Sequence, residues 1–210
     1  MNVFIEPLIL YMILFLPGSA GQSGAGNLII FSATNELIRI VLYDIPSLAL
    51  IWYLLLKVRS FKAWGVGIPR KKDLVSGLLA LPSLVLIGFA VSAVSPLFQS
   101  EGPRLVPPSD VPGWLILVVS CISTGYLEES FFRFYLISKR DEFGLSGAAA
   151  ALISVVLFAV CHVYEGPWGF LNAVLAGSVL SFLFLRCHTL HGLAFAHGLY
   201  NTLVYIFSSF

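Results

Sequence analysis

Charge is what this sequence has least of. Only 11% of its 210 residues are Asp, Glu, Lys or Arg, whereas 58% are hydrophobic. Water-soluble domains carry about 25% charged residues, so too few charges are present to coat a water-facing surface. The net charge is only +1 and no Lys/Arg-rich run is interleaved with aromatics, which argues against nucleic acid as a partner. Cysteine is scarce as well. Cys121, Cys161 and Cys187 are odd in number, unrelated in spacing and without a C-x-x-C pair. That argues against a disulfide framework or a thiolate zinc site, and each reads as a small buried hydrophobe. Internal repeats, low-complexity tracts and the H-E-x-x-H zinc pattern are absent too.

What is present is a succession of apolar runs, with a mean hydropathy of +0.92. A helix crosses the hydrocarbon of a bilayer with about 20 apolar residues. Runs of that kind occupy residues 28–56, 74–98, 114–138, 145–164, 168–185 and 193–207. Pro82 inside the 74–98 run is a kink of the sort membrane helices tolerate. Residues 3–17 read as a short first span or a re-entrant segment, since such a helix is only about 22 Å long. The apolar run 8–16 followed by Pro17-Gly18-Ser19-Ala20 faintly resembles a signal peptide, but Glu6 stands where Lys or Arg would be needed. The glycines at 18, 21, 24 and 26 mark a small-residue turn. They follow a hydrophobic span rather than a strand, which argues against a dinucleotide loop. Prolines 103, 107, 108 and 112 make residues 99–112 a loop. The fold class is all-α, a polytopic membrane helix bundle of about seven transmembrane helices.

Basic residues test this layout. If the spans alternate, the loops at 57–73, 139–142 and 186–192 share one side and carry Lys57, Arg59, Lys62, Arg70, Lys71, Lys72, Lys139, Arg140 and Arg186, against Arg104 alone on the other. Lys and Arg mark the cytoplasmic side, so the basic loops and the N-terminus are expected in the cytoplasm of a multi-pass membrane protein, taken as one of the bacterial inner membrane.

Ionisable groups inside the spans are the candidates for function. Each costs about 2.5–3.5 kcal/mol to insert, so Glu128, Glu129 and Arg133 together cost roughly 7–10 kcal/mol before pairing. On a helix Glu129 and Arg133 are four apart and pair on one face, leaving Glu128 about 100° away and available. The trio could equally be an ion cluster that only pins helices together. His162 lies in the run 145–164, four residues after Phe158, and His197 lies four before Asn201 in the last. Convergence of these groups on one wet cavity would satisfy all of them. A carboxylate in low dielectric becomes a competent general base, and an imidazole and a carboxamide can donate to a developing oxyanion. On straight helices Glu128 would lie about 17 Å, His162 about 25 Å and His197 about 7 Å from the cytoplasmic end, so convergence requires staggered helices. Glu36, Arg39 and Asp44 either support the site or pair among themselves.

The run Glu128-Glu129-Ser130-Phe131-Phe132-Arg133 resembles the E-E-x-x-x-R motif of the CAAX-protease and bacteriocin-processing (CPBP, Abi-like) family. Phe158-Ala159-Val160-Cys161-His162 resembles its F-x-x-x-H motif, and His197-Gly198-Leu199-Tyr200-Asn201 its H-x-x-x-N motif, in the same order. The resemblance covers roughly residues 60–205 and divides the chain into membrane helices of open role at 1–59 and a CAAX-protease-like catalytic membrane domain at 60–210. It implies an endopeptidase in which Glu128 activates water held by His162, Glu129 and Arg133 orient the site, and His197 with Asn201 stabilises the oxyanion. It implies a peptide or protein substrate, with a prenylated C-terminus, a leader peptide and a sorting signal all compatible with it. Both a metalloprotease mechanism, with Zn²⁺ on Glu128, His162 and His197, and a metal-free one are compatible with it. The alternatives are a non-catalytic scaffold or immunity factor of the same fold, and a transporter or proton relay. Gly144-Leu145-Ser146-Gly147 also resembles the G-x-S-G of rhomboid serine peptidases, although Ser146 at a helix start reads as an N-cap. His188 and His191 read as solvated loop residues.

Overall fold

The computed structural model describes residues 4–18, 28–95 and 104–207. Most of the glycine turn after the first apolar run, and part of the proline loop near residue 100, lie outside these residues. The chain runs α1 (Ile5–Leu14), β1 (Leu28–Ile30), α2 (Ala33–Arg39), a π-helical turn (Ile40–Asp44), α3 (Ile45–Leu56), α4 (Phe61–Trp64), α5 (Lys71–Val94) and β2 (Arg104–Val106). It continues through α6 (Val111–Glu129), a second π-helical turn (Ser130–Tyr135), α7 (Leu136–Ser138), α8 (Gly147–Cys161), a 3₁₀ turn (Val163–Glu165), α9 (Gly166–Cys187) and α10 (His191–Phe207).

Helices occupy every apolar run, and the bundle is all-α as expected. Among the described residues, the stretches Ala33–Leu56, Lys71–Val94, Val111–Ser138 and Val163–Cys187 are long and apolar enough to cross a membrane. Ile5–Gly18 and Gly147–Cys161 are apolar but shorter, and α10 has 17 residues. Leu42, Leu79, Leu86, Val119, Leu152 and Phe182 are each more than half exposed, a lipid-facing surface that water would not favour. The start of the 28–56 run is a strand rather than a membrane helix. Leu28–Ile30 pairs in parallel with Arg104–Val106, a strand inside the stretch read as loop. Ser32 then caps α2, its side chain accepting from the Asn35 N–H. The backbone of β1 gains partners from β2 that it would otherwise lack outside a helix.

Small residues set how closely the helices approach. A Cβ on Gly198 would lie 2.6 Å from Ile122 Cα, and one on Gly125 would lie 2.5 Å from the Ala194 carbonyl oxygen, so α6 and α10 cross backbone against backbone. At the start of α10 a Cβ on Gly192 would lie 1.9 Å from the Asp73 carbonyl oxygen of α5. Gly192 N–H also donates to Asp73 Oδ1 at 3.4 Å. These contacts fix the height of α10 against its neighbours, and with it the height of His197.

The first helices are part of the same hydrophobic core. Tyr11, Phe15, Ile51, Trp52 and Leu55 are buried in one cluster with Phe131, Phe132, Phe134 and Tyr135. Tyr11 hydroxyl donates to the Leu157 carbonyl at 2.9 Å, and Trp52 Nε1–H to Ser130 Oγ at 3.1 Å. Tyr135 hydroxyl donates to Glu6, and the buried Lys139 lies 3.8 Å from the same carboxylate.

Gly125→Ala and Gly198→Ala are expected to destabilise the protein by about 1–3 kcal/mol each, the usual cost of overpacking. Gly67→Ala, where nothing lies within 4 Å of the added carbon, should be neutral. Thermal denaturation in detergent measures all of them.

Candidate active site

The C-terminal part of α6 and the π turn that follows carry the acidic motif. Glu129 and Arg133 are fully buried, and Arg133 Nη1 lies 3.1 Å from Glu129 Oε1. Arg133 Nη2–H donates to the Gly177 carbonyl of α9 at 3.4 Å, and its guanidinium sits 4.8 Å from the centre of the Phe158 ring. The cation is thus held by a carboxylate, a carbonyl and an aromatic face. The Cβ that Gly177 lacks would lie 3.0 Å from Phe158, so a small residue on α9 leaves room for this stack.

His197 joins the two glutamates. Its Nδ1 lies 2.9 Å from Glu129 Oε1, and its Nε2 lies 3.5 Å from Glu128 Oε2. A carboxylate only accepts hydrogen bonds, so Nδ1 carries the proton toward Glu129 and Nε2 is the nitrogen presented to Glu128. Glu128 Oε2 is buried and has no hydrogen-bond partner. The two neighbouring carboxylates therefore differ in kind. One is spent on Arg133 and His197, and the other is held in a buried setting with bonding capacity to spare.

His162 is placed differently from the expectation. It closes the C-terminus of α8, its Nδ1–H donating to the Phe158 carbonyl at 2.7 Å, and is in ion-pair contact with neither glutamate. It shares the Phe158 ring with His197, at centroid separations of 4.5 Å and 5.8 Å. Asn201 lies one turn beyond His197 on α10, half-buried. Among the described residues no group of three His, Cys, Asp or Glu side chains is arranged to hold a metal ion. Glu128, His162 and His197 as they stand are therefore not grouped to hold Zn²⁺.

Other candidates fall into structural roles. Ser146 caps α8, accepting from the Ala149 N–H at 3.1 Å, and is not part of the cluster. His191 lies 3.1 Å from the Tyr126 hydroxyl and 3.2 Å from the Gly67 carbonyl oxygen, so it ties loops together rather than standing in solvent. Burial, with Arg140 and Lys72 nearby, holds the exposed-loop His188 imidazole below its ordinary range. Nothing in the sequence singles out Gly177 or Tyr164. The i, i+4 spacing of Phe158 before His162 is the one signal that pointed toward the aromatic platform.

Residues 110–203 match the family described as "Type II CAAX prenyl endopeptidase Rce1-like". The similarity covers a little under half of the 210 residues. The match spans Glu128, Glu129, Arg133, His162, His197 and Asn201. No curated protein and no solved structure matches the chain. That family is one of proteases, and the residues buried around Arg133 lie inside the matched segment.

Breaking the buried pair from one side is expected to cost about 3–5 kcal/mol, because it strands a charge. Arg133→Leu or Glu129→Leu alone should lower the melting temperature strongly, whereas the double variant Glu129→Leu/Arg133→Leu should recover most of the loss. Melting curves of the four proteins in one detergent decide this.

Proposed function

We propose that the chain is an intramembrane endopeptidase that hydrolyses a peptide bond with a water activated by Glu128. The observation that carries this reading is the buried, unpartnered Oε2 of Glu128 beside His197 Nε2. The Glu129–Arg133 pair next to it is internally neutralised. A carboxylate within hydrogen-bond reach of a bound water can take its proton as a general base.

In this reading Glu128 takes a proton from the water as its oxygen bonds to the carbonyl carbon. The oxyanion that forms is stabilised by the Asn201 carboxamide one turn along the same helix and by His197 through Nε2–H, the ring carrying a proton on each nitrogen at that stage. Collapse breaks the C–N bond, and the proton held by Glu128 passes to the departing amine. His162 holds the water through the ring nitrogen that is not tied to Phe158. Glu129 fixes the orientation of His197, and Arg133 fixes Glu129. The substrate is a membrane-associated peptide or protein, either prenylated near its C-terminus or a leader peptide.

The catalytic unit is residues 60–210, with the earlier helices packed on it. We place the protein in a bacterial inner membrane with the basic loops in the cytoplasm. Contact between those loops supports a single side: Arg70 Nη2–H donates to the His188 carbonyl at 3.4 Å, and His191 meets the Gly67 carbonyl.

Glu128→Gln preserves shape and removes the base. It is expected to lower kcat on a quenched membrane peptide by about 10²–10⁴-fold, the usual weight of general base catalysis, with melting temperature unchanged. A variant that cleaves as fast as the parent overturns the reading. Cleavage is also expected to survive dialysis against a strong chelator. Loss of activity that Zn²⁺ restores would instead favour the metal-dependent form of the reaction.

A further inference from the structure

The most heavily bonded polar group outside the site is Arg39. It belongs to the first long apolar stretch, which lies before the matched segment. Arg39 Nε–H and Nη2–H donate to Glu36 Oε2 at 3.2 and 3.0 Å, and Nη1–H reaches both Asp44 oxygens at 3.1 Å. The remaining contacts are all to α6. Nη1–H donates to Thr124 Oγ1 at 2.7 Å, and Nη2–H donates to Ser120 Oγ and to the Ser120 carbonyl. Ser120 hydroxyl in turn donates to Glu36. Asp44 is 1% exposed and also accepts from Ser123.

This geometry depends on the first π turn. On a regular α-helix residues five apart point about 140° away from each other, so Arg39 and Asp44 would not meet. The π turn Ile40–Asp44, with its wider i→i+5 bonding, brings them onto one side. Irregular helix of this kind is retained where it aims a side chain. Here it aims a carboxylate and a guanidinium at one stripe of α6.

That stripe leads to the site. Ser120, Thr124 and Glu128 are spaced i, i+4, i+8 on α6 and so share a face. Arg39 therefore holds α6 at the two turns directly preceding Glu128. Asp44, Tyr43, Cys161 and Tyr164 lie within electrostatic reach of Glu128, contributed by the π turn, α8 and the 3₁₀ turn. His197 faces it from α10.

We infer that Glu36, Arg39 and Asp44 form a clamp that positions Glu128 by fixing the height and rotation of α6, so that a helix packed on the catalytic unit holds the segment that carries its base. Arg39 and Asp44 are positioning residues: they act on the reaction through the helix that carries the base. The inference rests on the assignment of Glu128 as that base. A shift of about 1 Å in a catalytic group costs up to about 10²-fold in rate, which a loosened α6 would produce without altering the groups that bind substrate.

The test uses the full chain in detergent and the quenched peptide above. Two variants break the clamp from opposite sides: Arg39→Gln, and the double variant Ser120→Ala/Thr124→Val, which leaves the Glu36–Arg39–Asp44 triad charged and paired. The number of competent molecules is titrated with the same peptide carrying a methyleneamine in place of its scissile bond, and kcat is expressed per binding molecule. Both variants are expected to lower that kcat by about 10–100-fold with KM within about two-fold of the parent. Parent-level kcat per binding molecule, or a loss that appears only as fewer binding molecules, overturns the inference. If Arg39→Gln does not fold, the double variant alone decides between these outcomes. Glu128→Gln run in parallel separates the two claims: if it is fully active the assignment of the base falls, whereas an inactive Glu128→Gln beside a fully active Ser120→Ala/Thr124→Val removes the clamp alone.

Discussion

A guanidinium with no exposure to solvent, inside a membrane helix, is the constraint around which this protein is arranged. Arg133 could not remain charged there without Glu129 at 3.1 Å, the Gly177 carbonyl and the Phe158 face. Each of those partners comes from a specific place: Glu129 from the preceding turn of the same helix, Phe158 from α8, Gly177 from α9. Satisfying one cation therefore gathers three segments. His197 makes α10 the next member by bonding to the same Glu129 oxygen that Arg133 holds. Once those are fixed, Glu128 has little choice of environment. It follows Leu127 on a helix already locked by its neighbour, and it faces the free nitrogen of His197.

Two charge clusters lie along α6, and they are of opposite character. Around Arg39 every donor direction is taken, by Glu36, Asp44, Ser120 and Thr124, and both Asp44 oxygens are engaged. A polar network in low dielectric that is complete in this way rigidifies what it touches. Further along the helix the bonding is incomplete: Glu128 Oε2 and Glu129 Oε2 are buried without partners. Buried groups left unsatisfied are expensive and uncommon, so the network that is closed around Arg39 stays open around Glu128, Glu129 and Arg133. The same contrast separates the histidines. His191 is bonded through both ring nitrogens to a tyrosine and a carbonyl, whereas His197 keeps one nitrogen for Glu128.

Much of the bundle was legible in the sequence because hydrophobic length and i, i+4 spacing are local properties. The Glu129–Arg133 pair is the direct outcome of four-residue spacing, and the positions of α5, α6, α8, α9 and α10 follow from apolar run length. What could not be read is relative height and rotation between helices. Straight-helix arithmetic put Glu128 and His197 at different depths, yet they meet, because Gly192 and Gly198 let α10 seat against the backbones of α5 and α6. The absence of a side chain leaves no pattern in a hydropathy trace. The parallel pairing of Leu28–Ile30 with Arg104–Val106 was invisible for a related reason: it joins segments far apart in sequence, and three apolar residues beside a long apolar run look like more helix. The direction of His162 was equally out of reach of spacing, because a residue at a helix C-terminus turns with the chain, and its Nδ1 faces the Phe158 carbonyl of its own helix.

The two π turns bear on how such a site can be held in a membrane at all. A regular helix offers a new partner only every three or four residues on a face, which limits how many polar groups it can satisfy at one level of the bilayer. Widening one turn changes the rotation of everything beyond it without exposing backbone to lipid, since the groups still bond within the segment. The turn at Ile40–Asp44 uses that freedom to bring Arg39 and Asp44 together. The turn at Ser130–Tyr135 uses it directly after the acidic pair, where Ser130 meets Trp52 and Phe131, Phe132 and Tyr135 enter the aromatic core. Both are places where the chain departs from the lowest-energy helix and recovers the cost through packing and ion pairing. Their positions, one at Asp44 and one beginning just after Glu129, bracket Glu128 from two different helices. The irregular backbone of this bundle and its buried charges are therefore two expressions of one requirement: polar groups from separate helices must reach a common level where water cannot serve them.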